Sequence, residues 1–202
     1  MAARAEGMAA TRERIVAAAL KLALAQPYED ITLVAIADAA GVSHQTVLNH
    51  FAAKEHVGAA AAELLGRQTQ AARDKAVPDD HPGAIAILVN EYERFGDANA
   101  RWAVASERLG SLAPLLDRAR ANHQAWLDRI FADLLPKAPT ARRQAIYALH
   151  VATDVYTWKL LRRDLQLSRA DTERIMCQLV YGILGRAGTR RRKRGRSSRR
   201  TR

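Results

Sequence analysis

The chain has 202 residues, 49% hydrophobic and 26% charged, enough apolar material for a sizeable core and too much for a disordered polymer. No apolar run approaches the roughly 20 residues of a membrane span, and the lone Cys177 rules out an intrachain disulfide or a thiolate metal site. The net charge of +11 is uneven: residues 186–202 carry ten bases and no acid, leaving 22 bases against 21 acids elsewhere.

In chain order, Ala and Leu dominate and apolar residues recur at three and four, so the whole chain reads helical. The first helix is expected from about Thr11 to Ala25, with Ile15, Ala18, Ala19 and Leu22 on one face and Pro27 ending it. Thr32 is an N-cap for a second helix striped by Leu33, Ile36, Ala37 and Ala40. Gly41 stands where a helix ends in a left-handed residue. Ser43 caps a third helix reaching His50, and Lys54 opens a fourth reaching about Asp74.

The segment "VPDDHPG" (77–83) is loop chemistry. Helices are expected beyond it at Ala84 to Phe95, at Asp97 to Leu109 and from Pro114 to about Leu135. After the "PKAPT" loop comes Ala141 to about Arg163. A last helix, opened by the capping-box spacing of Ser168 and Asp171, ends near Leu184. That makes about nine helices. The tail, 186–202, has nothing to bury and repels itself, and is expected to be disordered.

Two short helices joined through a glycine form a helix-turn-helix arrangement. Val47 and Phe51, four apart, anchor the second helix, whose other face shows His44, Gln45, Thr46, Asn49 and His50, all able to hydrogen-bond and none acidic. Such a helix fits the major groove, where Gln or Asn pairs with adenine and a Thr methyl touches thymine. An ordinary helical hairpin with a polar outer face is the bland alternative. The first 57 residues hold five bases and six acids, so the placement of charge must matter more than its sum.

The features "RIVAAALKL", the Thr32 cap, "IADAAGVS", Thr46, "HF" at 50–51 and "KE" at 54–55 lie in order within residues 11–57. This stretch resembles the DNA-binding region of the TetR family of one-component transcriptional repressors. Two departures stand out: Leu48 takes the place of the family's common Tyr, and Gln26-Pro27 takes the place of a frequent Gly.

The resemblance implies an all-α protein with an N-terminal three-helix DNA-binding head at 1–57. A larger helical effector-binding and dimerisation domain would occupy 58–185, ahead of the basic tail. It implies Thr32 and Lys54 as phosphate anchors at helix N-termini, and Gln45, Thr46 and Asn49 as base readers on the helix capped by Ser43. His44 and His50 fit either role or a solvated one. Arg12, with Arg4, reaches the DNA backbone or minor groove from an N-terminal arm, or is simply solvated.

It further implies a homodimer through helices at about 141–163 and 169–184. The apolar positions Ile146, Leu149, Val151, Ala152, Val155 and Leu160, and Ile175, Leu179, Ile183 and Leu184, agree with that. A pocket for a small, largely apolar or aromatic effector would draw on Tyr92, Phe95, Trp102, Trp126, Tyr147, Tyr156 and Trp158. Glu107, His123, His150 and Asp154 are its polar handles. Core packing is the competing role for each of these.

The expected function is a repressor that binds a pseudo-palindromic operator in double-stranded DNA and is released by that effector. No metalloprotease HExxH motif, Walker loop or GxSxG elbow occurs, so no catalytic residue, metal or cofactor is expected. A cytoplasmic address follows from the single cysteine and the lack of a secretory leader. The alternative is a helical small-molecule carrier or interaction module with a non-functional helix-turn-helix, for which Leu48 and the weakly charged head argue.

Overall fold

A computed structural model describes residues 2–78, 80–108, 110 and 113–196, as backbone alone at 2–4, 107–108 and 186–196. Its elements are α1 (Ala2–Ala25), a 3-10 turn (Tyr28–Asp30), α2 (Leu33–Ala40), α3 (His44–His50), α4 (Lys54–Arg73), α5 (His81–Arg108), α6 (Ala113–Ile130), α7 (Pro139–Thr153), α8 (Val155–Lys159) running into a π turn at Leu160–Asp164, and α9 (Arg169–Arg196). Among the described residues there is no strand, and the all-α expectation holds. Two compact units divide the chain: Met1–Ala71 with Asp97–Ala119, and Ala72–Gly96 with Arg120–Arg202.

In the first unit, α1 buries Ile15, Val16, Ala19, Leu20 and Ala23 in a core shared with Ile36 and Ala37 of α2, Val47 of α3, Phe51, and Val57 and Ala61 of α4. The many alanines let the helix backbones approach closely. Arg101 of α5 donates to the carbonyl of Leu24 at 2.8 Å, satisfying an orphan acceptor where α1 ends. Tyr28 fills the space beneath α4, which only a glycine at position 58 permits. A Cβ there would lie 2.7 Å from the Tyr28 Cε2.

In the second unit, one apolar cluster joins Ile85, Leu88, Val89 and Tyr92 of α5 to Trp126, Leu127 and Ile130 of α6. Phe131, Leu149 of α7, Trp158 of α8, and Met176 and Val180 of α9 complete it. Trp158 is fully buried, with its indole N–H donating to Glu93 Oε1 at 3.0 Å. Arg162 forks onto the same carboxylate at 2.6 and 2.9 Å. These bonds hold the Glu93 carboxyl below the ordinary carboxylate range, the one to Arg162 contributing most.

Several boundaries differ from the sequence reading, among them the start of α5 at His81, inside the expected loop, and the end of α6 at Ile130, short of Leu135. α1 starts at Ala2, well before Thr11. The break expected between Phe95 and Asp97 is absent, because Gly96 lies inside α5 and serves to admit the Trp158 ring, onto which any Cβ would fall. The helix expected over 141–163 breaks at Asp154, whose backbone is extended (φ −70°, ψ 154°). There the Asp154 carboxylate accepts from Tyr156 N at 2.9 Å and caps α8. The last helix continues past Leu184 to Arg196, through a run of arginines that are good helix formers and complement a helix C-terminus. Residues 197–202 of the basic tail lie outside the described residues.

Candidate nucleic-acid interface

The segment from Thr32 to Phe51 builds the helix pair part by part. Thr32 Oγ1 accepts from Ala35 N at 3.1 Å and starts α2. Gly41 ends α2 at φ 66°, the left-handed conformation that costs a glycine nothing. Val42 N then bonds back to Ala37 O at 3.0 Å, tightening the turn. Ser43 Oγ accepts from Thr46 N at 3.0 Å and starts α3. Val47 is wholly buried and Phe51 nearly so, fixing which face of α3 points outward.

On that outward face His44, Gln45 and Asn49 are exposed, with Thr46, Leu48 and His50 half-buried beside them. Gln45 Nε2 donates to Asn49 Oδ1 at 3.1 Å. The pair keeps the Gln45 carbonyl as an acceptor and the Asn49 amide hydrogens as donors, the two functions a major-groove edge demands. Thr46 Oγ1 lies 2.8 Å from Ser43 Oγ, which occupies its hydroxyl and leaves its methyl as the free chemistry.

The anchors expected from sequence are each held from behind. Thr32 is exposed, and because its oxygen accepts the cap bond its hydroxyl proton remains for a phosphate. Lys54 Nζ donates to Glu29 O at 3.1 Å and sits 4.5 Å from the Tyr28 ring centroid, which leaves two ammonium hydrogens unused. The Tyr28 hydroxyl is buried and without a partner, and burial pushes its pKa up to about 12, so it stays neutral beneath the ammonium. Arg12 is exposed and lies over Phe51 at 4.7 Å. The role of Tyr28 was missed in the sequence, where it reads only as an aromatic after Pro27.

The effector candidates are not gathered at one wall. Trp102 lies in the first unit against Tyr28, with ring centroids 5.4 Å apart. Tyr92, Phe95, Trp126 and Trp158 are buried in the second unit, whereas Tyr147 and Tyr156 are exposed. His123 is buried and bonded on both ring nitrogens, and the His150 Nε2 is 3.2 Å from Asp154 Oδ2. Glu107 falls outside the described side chains. A cavity of about 10 Å³, lined by Ala19, Tyr28, Lys54, Gly58 and Trp102 among others, has room for about one water.

Of the apolar positions assigned to pairing, Ile146, Leu149, Ala152 and Leu184 are buried within the chain. Val151 is 69% exposed, Leu160 49% and Leu179 43%, with Tyr147, Tyr156 and Tyr181 also exposed on α7, α8 and α9. Among the described residues no group of His, Cys, Asp and Glu is placed to hold a metal ion, and no helix is long and apolar enough to cross a membrane.

Residues 15–61 match the family model for bacterial regulatory proteins of the tetR family. No curated protein matches the chain. Among solved structures, the chain is similar to a transcriptional regulator from Rhodococcus sp. Rha1 at 20% identity, over 86% of this chain and 96% of that one, with a TM-score of 0.72. A tetR-family transcriptional regulator from Streptomyces coelicolor gives 17% identity, 94% and 87% coverage and a TM-score of 0.74. The transcriptional regulator FadR from Bacillus subtilis in complex with stearoyl-CoA gives 17%, 84%, 98% and 0.57.

Proposed function

From a chain whose residues 15–61 carry the DNA-binding region of the TetR family, we propose a DNA-binding transcriptional regulator that works as a repressor. The observation that carries this reading is the outward face of α3. Two capped helices meet at a left-handed glycine, Val47 and Phe51 lock the second in place, and Gln45 and Asn49 stand ready toward a base edge. Thr32, with the free N–H groups that open α2, and Lys54 hold phosphates on either side. His44, Thr46 and His50 add contacts within the groove, and Arg12 meets the backbone.

The protein acts as a homodimer through α7, α8 and α9. The exposed Val151, Leu160 and Leu179 support this, because apolar side chains in that number ask for cover. Two recognition helices fixed by a dimer read half-sites about one DNA turn or more apart. A small, largely apolar or aromatic effector in the second unit releases the operator by binding better to the form that cannot read it. FadR, in complex with stearoyl-CoA, supports only a ligand with a long apolar portion, since the coenzyme A part is large and charged. Since Tyr92, Trp126 and Trp158 are packed in a filled core, the ligand-bound form has a different packing around them. The basic tail adds sequence-blind, salt-sensitive attraction to DNA. A regulator of this kind does no catalysis.

The reading is tested by footprinting the purified protein on DNA from the promoter region of its own gene. Two protected segments related by a twofold axis, with centres about ten base pairs or a multiple of that apart, are expected. Protection without symmetry, or none on any promoter fragment from the same genome, overturns it.

A further inference from the structure

The second unit contains a polar cluster that the DNA-reading function does not use. Arg73, the last residue of α4, donates from Nε and Nη2 to the two oxygens of Glu91 on α5, at 2.6 and 3.0 Å. Its Nη1 donates to His123 Nδ1 on α6 at 2.9 Å. The His123 Nε2 is 2.9 Å from Thr153 Oγ1 on α7, and that hydroxyl donates to Leu149 O at 2.7 Å. Glu91, His123 and Thr153 are all buried, and only 11% of the Arg73 side chain is exposed. A buried ion pair is weak ground for stability, since apolar residues of the same volume do as well or better. Its presence here calls for another reason.

The direction of every bond in the chain is forced. A guanidinium only donates, so Nδ1 must accept. The imidazole is then neutral with its proton on Nε2, and Thr153 accepts that proton while giving its own to Leu149 O. A second proton on His123 would have to sit on Nδ1, pointing into the Arg73 guanidinium. We propose that Arg73, Glu91, His123 and Thr153 form a proton-operated latch, closed on neutral His123 and opened by its protonation, which frees the last turn of α4 from α6.

α6 adds further bonds to the end of α4 and the turn after it. Beyond His123, the Trp126 indole N–H donates to Arg73 O at 3.2 Å, and Arg129 donates to the carbonyls of Arg73 and Ala76 at 3.3 Å each. The other ionisable groups facing the imidazole are few. His150 of α7 meets it edge-on at 4.8 Å between centroids, and its Nε2 is turned toward Asp154. Tyr92 of α5 donates to Thr153 O at 3.0 Å. Burial, Arg73 and His150 all hold His123 well below the usual imidazole range in the closed form, in that order of effect. Glu91 is pushed up by burial despite Arg73. Its protonation also loosens the ion pair, and the comparison of wild type with His123→Gln below separates that contribution from the imidazole's.

Opening exposes an ordinary imidazole with a pKa near 6.5, so each pH unit below that favours the open form about tenfold. The test uses the full chain with 15N-labelled histidine, together with amide exchange of residues 73–76 and Thr153 between pH 7.5 and 5. Expected at pH 7.5 is a neutral His123 with its proton on Nε2. Below pH 6.5, protection at 73–76 falls about tenfold per unit in the wild type and in His150→Gln, but not in His123→Gln. An Nδ1-protonated ring, or protection that does not change between pH 6.5 and 5, overturns the latch. So does a pH dependence that His150→Gln abolishes and His123→Gln keeps. If His123→Gln does not fold, the tautomer and the pH dependence of the wild-type chain decide between the same two outcomes.

Discussion

Gln45 and Asn49 hold each other on the outer face of α3, so on the proposed reading their contributions to DNA binding are not independent. Each alanine substitution is expected to weaken operator binding by about 1–3 kcal/mol while leaving shuffled DNA nearly unaffected. Because either change also releases its partner's amide, the double variant is expected to lose less than the sum of the two. A double-mutant cycle by titration checks this, and strict additivity counts against a paired reader. At the same scale, His123 gives stability a pH dependence of known sign. Its folded pKa is depressed, so its contribution does not vary above about pH 6.5, where both states are neutral. Below that the unfolded chain takes up a proton that the folded one refuses, and up to about 1.4 kcal/mol per pH unit is lost. Urea unfolding at pH 7.5 and 5.5, in the wild type and His123→Gln, reads the difference. Equal losses in both would assign the effect to other groups.

The helix pair was legible in the sequence because its parts are local. A cap, a left-handed glycine and two apolar residues four apart fix α2 and α3 with no reference to the rest of the chain, and their bounds came out as read. The reading failed at Gly96 through a distant partner and at Asp154 through a local cap it did not see. Gly96 looks like a helix end, but Trp158, sixty-two positions on, makes it a packing site inside α5. Asp154 looks like a polar residue on a continuing helix, but its carboxylate caps α8, and the bond from Thr153 to Leu149 O helps bend the chain there. The Arg73 latch was invisible for the same reason as the role of Gly96, since its four members come from four helices. Gly96→Ala is therefore expected to cost about 1–3 kcal/mol through overpacking against Trp158. Gly66→Ala, where nothing lies within 4 Å of the added carbon, is expected to be neutral or slightly stabilising. Thermal unfolding of the two variants compares them directly, and equal midpoints would contradict the packing role of Gly96.

For the molecule as a whole, composition misleads unless it is divided. Ten of the eleven net positive charges belong to the last seventeen residues, and the remainder is nearly neutral. On the proposed reading, a head with more acids than bases binds DNA by placement, with Thr32 and Lys54 supported from behind and α3 presenting amides outward. The proposed pairing of two copies belongs to this scale too. Val151→Glu on α7 puts a charge at a position 69% exposed in one chain. It is expected to give a folded monomer by sedimentation at micromolar concentration, with helical content unchanged. A dimer that survives it would place the interface elsewhere.

On the proposed function, residues 43–50 choose the DNA sequence. The most direct test is a fluorescence-anisotropy titration of a promoter duplex and of its shuffled counterpart, with the wild type and with the Gln45→Ala/Asn49→Ala variant, at two salt concentrations. The account predicts strong preference for the promoter duplex in the wild type and loss of most of that preference in the variant. The salt dependence should stay the same, because the phosphate contacts remain. A variant that keeps the full preference, or a wild type that binds both duplexes equally, would contradict it.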